Sequence, residues 1–400
     1  MVRTGLDRLL DDPGRLAGRR YGVLAHGASI TADARPIHRA LAALAANDAG
    51  LPQALFGPEH GYYGIEQDMV AAESTRDPWT GAPIVSLYGD GEHTLKPCPC
   101  AFDGLDLLVI DLQDVGSRYY TYAATGIWAA EAALAAGCEV WVLDRPNPIG
   151  GDVVEGDLPR PGFESFVGAF RIPVRHGLTL GELFRLEARR RGWPVGDAPI
   201  RILEMEGWRR DMTWSETGLP WIAPSPNMPT VLTALVYPGG CLVEATELSE
   251  GRGTTRPFQL TGAPHVDPVA LADALAGRGL PGVAFVPAYF RPQFQKHAKQ
   301  VCGGVELVVT DPEAFPSYRV GVELLDVVRR LDPERFAWRE APYEFVIDRP
   351  AIDLLTGGPE CREAIESGDG LADWIAGWSE DEKAFREERR DILLYPEEAR

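Results

Sequence analysis

Asp106-Leu107-Leu108-Val109-Ile110-Asp111 is a nearly continuous apolar run between two acidic residues. Such runs are typical of strands buried on both faces of a parallel sheet. Shorter apolar runs at 21–25, 51–56 and 139–144 accompany it, and helical patterns lie at 36–46 and 125–136. Strand–helix–strand units of this length predict an α/β protein with a Rossmann-like doubly wound sheet.

The second half of the chain has a different pattern. Four prolines within residues 220–229 predict a rigid connector. Beyond it we expect a helical stretch at 230–236, a loop-rich segment at 238–265, helices at 268–276 and 317–331, and strands at 283–286 and 304–310. Because 400 residues exceed one compact core, we predict a Rossmann-like domain over residues 1–228 and a smaller α+β domain over 229–400.

Composition excludes several classes of function. A net charge of -20 argues against nucleic-acid and anionic-membrane partners. No Gly-x-Gly-x-x-Gly follows the first strand and no metal-ligand spacing occurs, so we expect neither cofactor nor metal. The first residues lack the apolar stretch of a signal peptide, and no apolar run reaches 18 residues. Six scattered cysteines, with Cys98 and Cys100 too close for a relaxed disulfide, predict free thiols and a cytoplasmic protein.

Glu59 and His60 lie in the tight loop that follows the predicted strand at 51–56. Ligands of open α/β sheets bind at the carboxyl ends of strands. A glutamate beside a histidine on a rigid loop suits general acid–base chemistry. A surface turn with two polar residues is the competing interpretation.

Three further polar clusters also follow predicted strands or loops. Gln113, Asp114, Arg118, Tyr119 and Tyr120 come directly after the central run, where arginine can bind a carboxylate and tyrosine can contact a sugar. A helix cap at Asp114 with a surface Arg118 is the alternative. Another cluster contains Asp144, Asn147 and, further along, His176, all of which are equally compatible with structural turns.

The last cluster follows the connector. Glu250 and Arg252 lie in the glycine-rich segment 249–255, where the backbone can approach a ligand closely. Glu244 and Glu247 precede it at a spacing that also fits a solvated helix face.

These motifs and their order resemble one family over nearly the whole chain. The motifs are Gly57-Pro58-Glu59-His60-Gly61, Ser86-Leu87-Tyr88-Gly89, the segments 111–122, 143–151 and 173–179, Gly218-Leu219-Pro220-Trp221, Pro224-Ser225-Pro226-Asn227-Met228-Pro229-Thr230 and Ser249-Glu250-Gly251-Arg252-Gly253-Thr254-Thr255. The chain is similar to the NamZ-type exo-β-N-acetylmuramidases, a glycoside hydrolase family. One departure lies at residues 25–28, where this chain reads Ala-His-Gly-Ala and many relatives have Asn.

The resemblance implies release of β-linked N-acetylmuramic acid from the non-reducing end of peptidoglycan fragments, in a cleft between the two domains. It places catalysis on Glu59 and His60. Glu59 is the expected acid, with a pKa raised by burial beside aromatic rings. Asp114 is the expected second carboxylate and Glu250 the next candidate, unless the sugar's own acetamide acts as nucleophile. Arg118 or Arg252 is expected to bind the lactyl carboxylate.

The expected ligand is therefore a small muropeptide or disaccharide; the oligomeric state is left open. The expected substrate-binding residues are Gln113, Arg118, Tyr119, Tyr120, Asp144, Asn147, His176, Asn227, Glu250 and Arg252. Two other functions remain at this point. One is a Mg²⁺-dependent hydrolase of phosphorylated metabolites with Asp111, Asp114 and Asp144 as ligands. The other is a non-catalytic muropeptide-binding protein.

Overall fold

A computed structural model describes residues 1–44, 50–67, 70 and 75–395 of the chain. Its larger sheet has seven strands in the order β3-β4-β2-β1-β5-β6-β7. They are β1 (Tyr21–Ala25), β2 (Ala54–Gly57), β3 (Thr75–Arg76), β4 (Pro83–Ser86), β5 (Leu107–Asp111), β6 (Glu139–Leu143) and β7 (Ile200–Leu203). Only β3 is antiparallel to its neighbour within this sheet. Counted along the chain, the six parallel strands follow the 3-2-1-4-5-6 order of the Rossmann fold.

The central strand β5 is buried at all five positions, as its apolar run predicts. Its residues alternate between two apolar cores, with Leu107 and Val109 in one and Leu108 and Ile110 in the other. A sheet that is covered on both faces is doubly wound, so the predicted α/β class is confirmed.

Eleven α-helices lie in the described residues. They are α1 (Gly5–Leu10), α2 (Ile37–Leu44), α3 (Tyr122–Ala135), α4 (Leu180–Arg191), α5 (Trp214–Thr217), α6 (Val231–Gly240), α7 (Pro268–Ala276), α8 (Ser317–Leu331), α9 (Ala351–Thr356), α10 (Glu360–Ser367) and α11 (Leu371–Arg389). The predicted end of the helix at 36–46 falls partly on residues 45 and 46, which lie outside the described residues.

A smaller antiparallel sheet, in the order β8-β10-β9, follows the connector. Its strands are β8 (Leu260–Ala263), β9 (Val283–Phe290) and β10 (Cys302–Val309). The prediction of loop over 238–265 is wrong for β8. That strand contains Gly262, whose Cα packs against the backbone of Gly303 and Gly304 so closely that no side chain fits. Its stability therefore comes from close backbone pairing, which hydrophobic periodicity does not reveal.

The end of the chain packs against the first half of the molecule. The Tyr395 hydroxyl donates a 2.8 Å hydrogen bond to Asp144 Oδ2. Arg389 Nη1 donates to the carbonyls of Gly151 and His176, both at 3.1 Å. The two predicted domains therefore share contacts, and the division at residue 228 stays a prediction.

Cysteine pairing differs from the sequence-based expectation. Cys98 and Cys100 form a disulfide, whereas Cys138, Cys241, Cys302 and Cys361 are free and buried. Within the described residues, no helix combines the length and apolar character needed to cross a membrane.

Candidate active site

A small, partly open cavity lies between the two halves of the chain. It is lined from the first half by Glu59, His60, Tyr119, Tyr120, Thr121 and Val167, from the connector by Ser225, Asn227 and Met228, and from the second half by Tyr237, Glu244, Arg252, Phe258, Tyr343 and Glu344. The cavity therefore contains three carboxyl groups and one guanidinium.

Glu59 and His60 are brought into the cavity by the loop after β2. The loop folds back tightly, since a Cβ on Gly57 would lie 2.5 Å from the Tyr62 amide nitrogen. His60 has a φ of 68°, which is uncommon for a residue other than glycine. Its Nδ1 lies 3.0 Å from the carbonyl oxygen of Glu66, which fixes the ring. Both side chains are held in place rather than displayed on a surface turn.

The Glu59 carboxylate is held from the start of helix α3. Thr121 Oγ1 donates a 2.8 Å hydrogen bond to Glu59 Oε2. The next residue, Tyr122, donates from its hydroxyl to the carbonyls of Pro224, at 2.7 Å, and Glu59, at 3.3 Å. The loop after β2, helix α3 and the proline-rich connector are thus joined at one point.

The second half of the chain contributes a buried network of charges next to the cavity. Arg252 Nη2 lies 2.6 Å from Glu244 Oε1, and Arg252 Nε lies 3.3 Å from Glu250 Oε1. Lys296 Nζ adds a 2.9 Å contact to Glu250. Burial raises the pKa of Glu244, but Arg252 and a 2.7 Å hydrogen bond from the Tyr343 hydroxyl outweigh burial and lower it. The two cations balance the two carboxylates.

Three of the expected sugar-binding residues also reach the cavity. The Tyr120 hydroxyl is buried beside Ser225 and Tyr122 and makes no hydrogen bond of good geometry with the described residues. Asn227 Nδ2 donates to Gln67 Oε1 at 3.0 Å. Tyr119 lines the cavity with its ring, because its hydroxyl donates to the Pro238 carbonyl at 2.6 Å. Tyr120 thus offers the polar group best suited to a ligand.

Arg118 lies outside the cavity and has a structural role. Its Nη1 donates to the carbonyls of Asp157 (2.8 Å) and Ile172 (2.9 Å), and its Nη2 donates to Leu355 (2.8 Å). A guanidinium committed to three carbonyls does not bind a substrate carboxylate, which corrects the expectation for this residue.

The Gln113 side chain also forms hydrogen bonds within the protein, because its Nε2 donates to the Asp114 and Pro146 carbonyls. Its backbone N–H donates to His26 Nε2 at 2.9 Å, and His26 Nδ1 lies 3.2 Å from the Pro224 carbonyl. Burial lowers the pKa of His26 to about 3, so the ring is neutral. The departure at 25–28 thus places a neutral imidazole between β5 and the connector.

Asp114 and His176 form a buried pair behind the cavity wall. His176 Nε2 lies 3.7 Å from Asp114 Oδ2, which also accepts a 2.6 Å hydrogen bond from the Gly116 amide. Burial raises the pKa of Asp114 to about 7 and lowers that of His176 to about 3. Neither residue lines the cavity, so the position of Asp114 does not support its expected role as second carboxylate.

The remaining expected residues are held in structural contacts. Asp144 accepts hydrogen bonds from Thr179 and Tyr395 hydroxyls, both at 2.8 Å, and Asn147 Nδ2 donates to Leu178. Asp111 is paired with Arg145 at 2.7 Å. Glu250 is not among the residues that line the cavity, but it pairs with Arg252, which is. Among the described residues, no group of three or more histidine, cysteine or acidic side chains is placed to hold a metal ion, and the proposed Mg²⁺ ligands are separately engaged.

Sequence reasoning missed several lining residues. Thr121 and Ser225 lie inside the quoted motifs, so attention to every polar residue of those motifs would have included them. Tyr343 and Glu344 lie in a segment without any motif, and only the fold reveals them.

The sheet order, the cavity between two halves and its buried carboxyl groups define a two-domain α/β protein built for acid–base chemistry on a small ligand. The family models described as exo-beta-N-acetylmuramidase NamZ, N-terminal and C-terminal, match residues 21–232 and 235–395. The chain belongs to the NamZ family, whose members are glycoside hydrolases.

Individual relatives agree with this assignment. The peptidoglycan β-N-acetylmuramidase NamZ of Bacillus subtilis (strain 168) is 39% identical over 98% of this chain and 91% of its own length. A DUF1343 family protein of Bacteroides fragilis NCTC 9343 has a crystal structure that superimposes with a TM-score of 0.86 at 32% identity, covering 98% of this chain and 99% of that one. A second such protein from the same strain gives a TM-score of 0.74 at 27% identity, covering 99% of both chains.

Proposed function

We propose that this protein is an exo-acting glycosidase that releases β-1,4-linked N-acetylmuramic acid from the non-reducing end of peptidoglycan fragments during cell-wall recycling. The observation that carries the proposal is the buried Glu59 carboxyl, fixed by Thr121 in the wall of the cavity between the two halves of the chain. Family membership supplies the substrate class.

Glu59 is the proton donor in this proposal. Glycoside hydrolysis requires an acid that protonates the leaving oxygen while positive charge develops at the anomeric carbon. Glu59 reaches the cavity on a rigid loop, and His60 beside it completes the polar end of the site. Turnover of the muramide, rather than binding alone, distinguishes this proposal from a protein that only binds muropeptides.

Recognition of the lactyl carboxylate is assigned to Arg252. Arg252 lines the cavity and lies over the Phe258 ring at 5.1 Å. It already pairs with Glu244 and Glu250, so a lactyl carboxylate would compete with these glutamates for the guanidinium. Guanidinium groups bind carboxylates through paired hydrogen bonds. The carboxylate distinguishes muramic acid from glucosamine, so Arg252 would set the sugar specificity of this strongly acidic protein.

The test is a chromogenic assay on aryl β-N-acetylmuramide and aryl β-N-acetylglucosaminide, with the metal chelator EDTA as an added condition. We expect hydrolysis of the muramide only, unaffected by the chelator. Hydrolysis of the glucosaminide alone, or equal rates on both, would contradict the proposed substrate. Loss of activity with chelator would favour the metal-dependent alternative instead.

We also propose a cytoplasmic location, which the four free and buried thiols support, although the Cys98–Cys100 disulfide does not. Fractionation of producing cells, followed by the muramide assay on each fraction, tests it. Activity found outside the cytoplasmic fraction would overturn this part of the proposal.

A further inference from the structure

Glu344 lies in a turn that is unusual for its sequence. Tyr343 and Val346 exchange backbone hydrogen bonds of 3.2 and 2.9 Å, which leaves Glu344 and Phe345 as the two central residues. Their φ angles are 46° and 67°, so both are left-handed. Turns with positive φ at both central positions strongly prefer Asn and Gly, because side chains with a Cβ are disfavoured there.

The strained turn is held in place by one tyrosine from the other half of the molecule. Tyr88 donates from its hydroxyl to Glu344 Oε2 at 3.2 Å, and its ring packs against Phe345 with centroids 5.7 Å apart. Tyr88 itself is buried and lies just beyond the carboxyl end of β4. The larger sheet therefore fixes both residues at the tip of the turn.

The result of this arrangement is a buried carboxylate in the part of the cavity wall that the second half of the chain forms. Glu344 is 3% exposed and lines the same cavity as Glu59 and Glu244. Of the two carboxylates that the second half of the chain contributes, Glu244 lies in regular helical backbone, whereas Glu344 has a positive φ. Non-glycine residues in strained conformations concentrate at functional sites, where the surrounding structure maintains them.

We propose that Glu344 is the second catalytic carboxylate, which stabilises the positive charge at the anomeric carbon; this rests on the proposed glycosidase function. Glu59 gives its proton to the glycosidic oxygen as the C1–O bond breaks, and the bonding electrons leave with that oxygen. Glu344 stabilises the cationic C1. Water then adds its hydroxyl to C1, and its proton passes to Glu59, which restores the acid.

The experiment compares Glu344→Gln and Glu59→Gln on two aryl β-N-acetylmuramides, one with a good and one with a poor leaving group. Loss of the acid is offset by a good leaving group, whereas loss of charge stabilisation is not. We expect Glu344→Gln to lower kcat roughly 100-fold or more on both substrates. Glu59→Gln should lower kcat on the substrate with the poor leaving group and leave kcat on the other substrate nearly unchanged. Glu340→Gln, an exposed change in the preceding segment, serves as the matched control with unchanged kcat.

Glu344→Asn separates catalysis from folding. Asparagine tolerates the left-handed conformation, so we expect a melting temperature at or above that of the parent protein together with the same loss of kcat. Activity of either Glu344 variant within about threefold of the parent would overturn the proposal, as would a loss confined to the poor leaving group. An inactive parent protein would instead count against the glycosidase function itself.

Discussion

Thr121 Oγ1 donates its 2.8 Å hydrogen bond to Glu59 Oε2 from the residue that precedes helix α3. A threonine at this position usually caps its own helix, but the Thr121 side chain makes no capping bond. The helix terminus is thus used to position the acid.

Removal of the Thr121 hydroxyl should displace the Glu59 carboxyl without unfolding the protein. We expect Thr121→Val to lower kcat roughly tenfold, because a small displacement of a catalytic group is costly, and to change KM little. Steady-state kinetics on the muramide measure both parameters. Thr121→Ser keeps the hydroxyl and should restore kcat; a Ser variant as slow as the Val variant would show that the methyl group matters instead.

The role of Glu59 as the acid can be tested by replacing its carboxyl with an amide. We expect Glu59→Gln to lower kcat by about 10²–10⁴ on a substrate with a poor leaving group, the usual contribution of acid catalysis. Calorimetric binding of the disaccharide should remain, since glutamine keeps the shape of the side chain. Glu66→Gln, in the same loop but not in the cavity wall, is the control. Unchanged turnover in Glu59→Gln would eliminate this residue as the acid.

Arg252 and its buried carboxylates must be changed together to test specificity. Removal of the cation alone would leave the buried Glu244 without its arginine, at a cost of about 3–5 kcal/mol, whereas Glu250 keeps its contact with Lys296. We therefore expect the double variant Arg252→Met with Glu244→Gln to fold and to lose preference for the lactyl group. The measurement is the ratio of kcat/KM on muramide and glucosaminide, which should fall about tenfold to 100-fold. A ratio equal to that of the parent would show that another group binds the lactyl carboxylate.

Replacement of Arg118 should affect the stability of the protein and not its substrate preference. Lysine cannot serve the three carbonyls that the guanidinium reaches, so we expect Arg118→Lys to lower the unfolding free energy by about 2–4 kcal/mol. The substrate ratio used for Arg252 should stay constant. Denaturant unfolding and the two-substrate assay measure the two effects, and an altered ratio without loss of stability would return Arg118 to the binding site.

Asp114 should affect how stability depends on pH. Burial raises its pKa to about 7, whereas an unfolded aspartate titrates near pH 4. Between these values the folded protein keeps a proton that the unfolded chain has lost, so stability falls as pH rises through this window. Above pH 7 the Asp114 carboxyl is ionised in the folded protein, and the full loss of stability from burying its charge is present.

We therefore expect Asp114→Asn to gain stability relative to the parent from pH 4 to 7, by the order of a few kcal/mol, with no further gain above. Denaturant unfolding across this range measures the difference. Asp106→Asn is the control, because Arg20 lowers the pKa of that exposed carboxyl to about 2 and its effect lies below pH 4. A constant difference between Asp114→Asn and the parent would contradict a buried, protonated Asp114.

Local patterns in the sequence were sufficient for much of the fold. The run at 106–111 and helices α7 and α8 lie where periodicity predicts them, because burial of one or both faces of an element is recorded in its own residues. Strand β8 was missed because its pairing depends on close backbone contact with residues about forty positions away.

The sequence by itself determined the sheet class, the loop with Glu59 and His60, and the family. Only the tertiary structure decided which polar residues share the cavity. Arg118 and Arg252 look alike in sequence, but the first meets carbonyls from residues 157, 172 and 355, whereas the second reaches the cavity. Tyr88 and Glu344 are 256 positions apart. The local sequence pattern indicates whether a side chain is buried. The residues that this side chain contacts depend on how distant segments of the chain pack together.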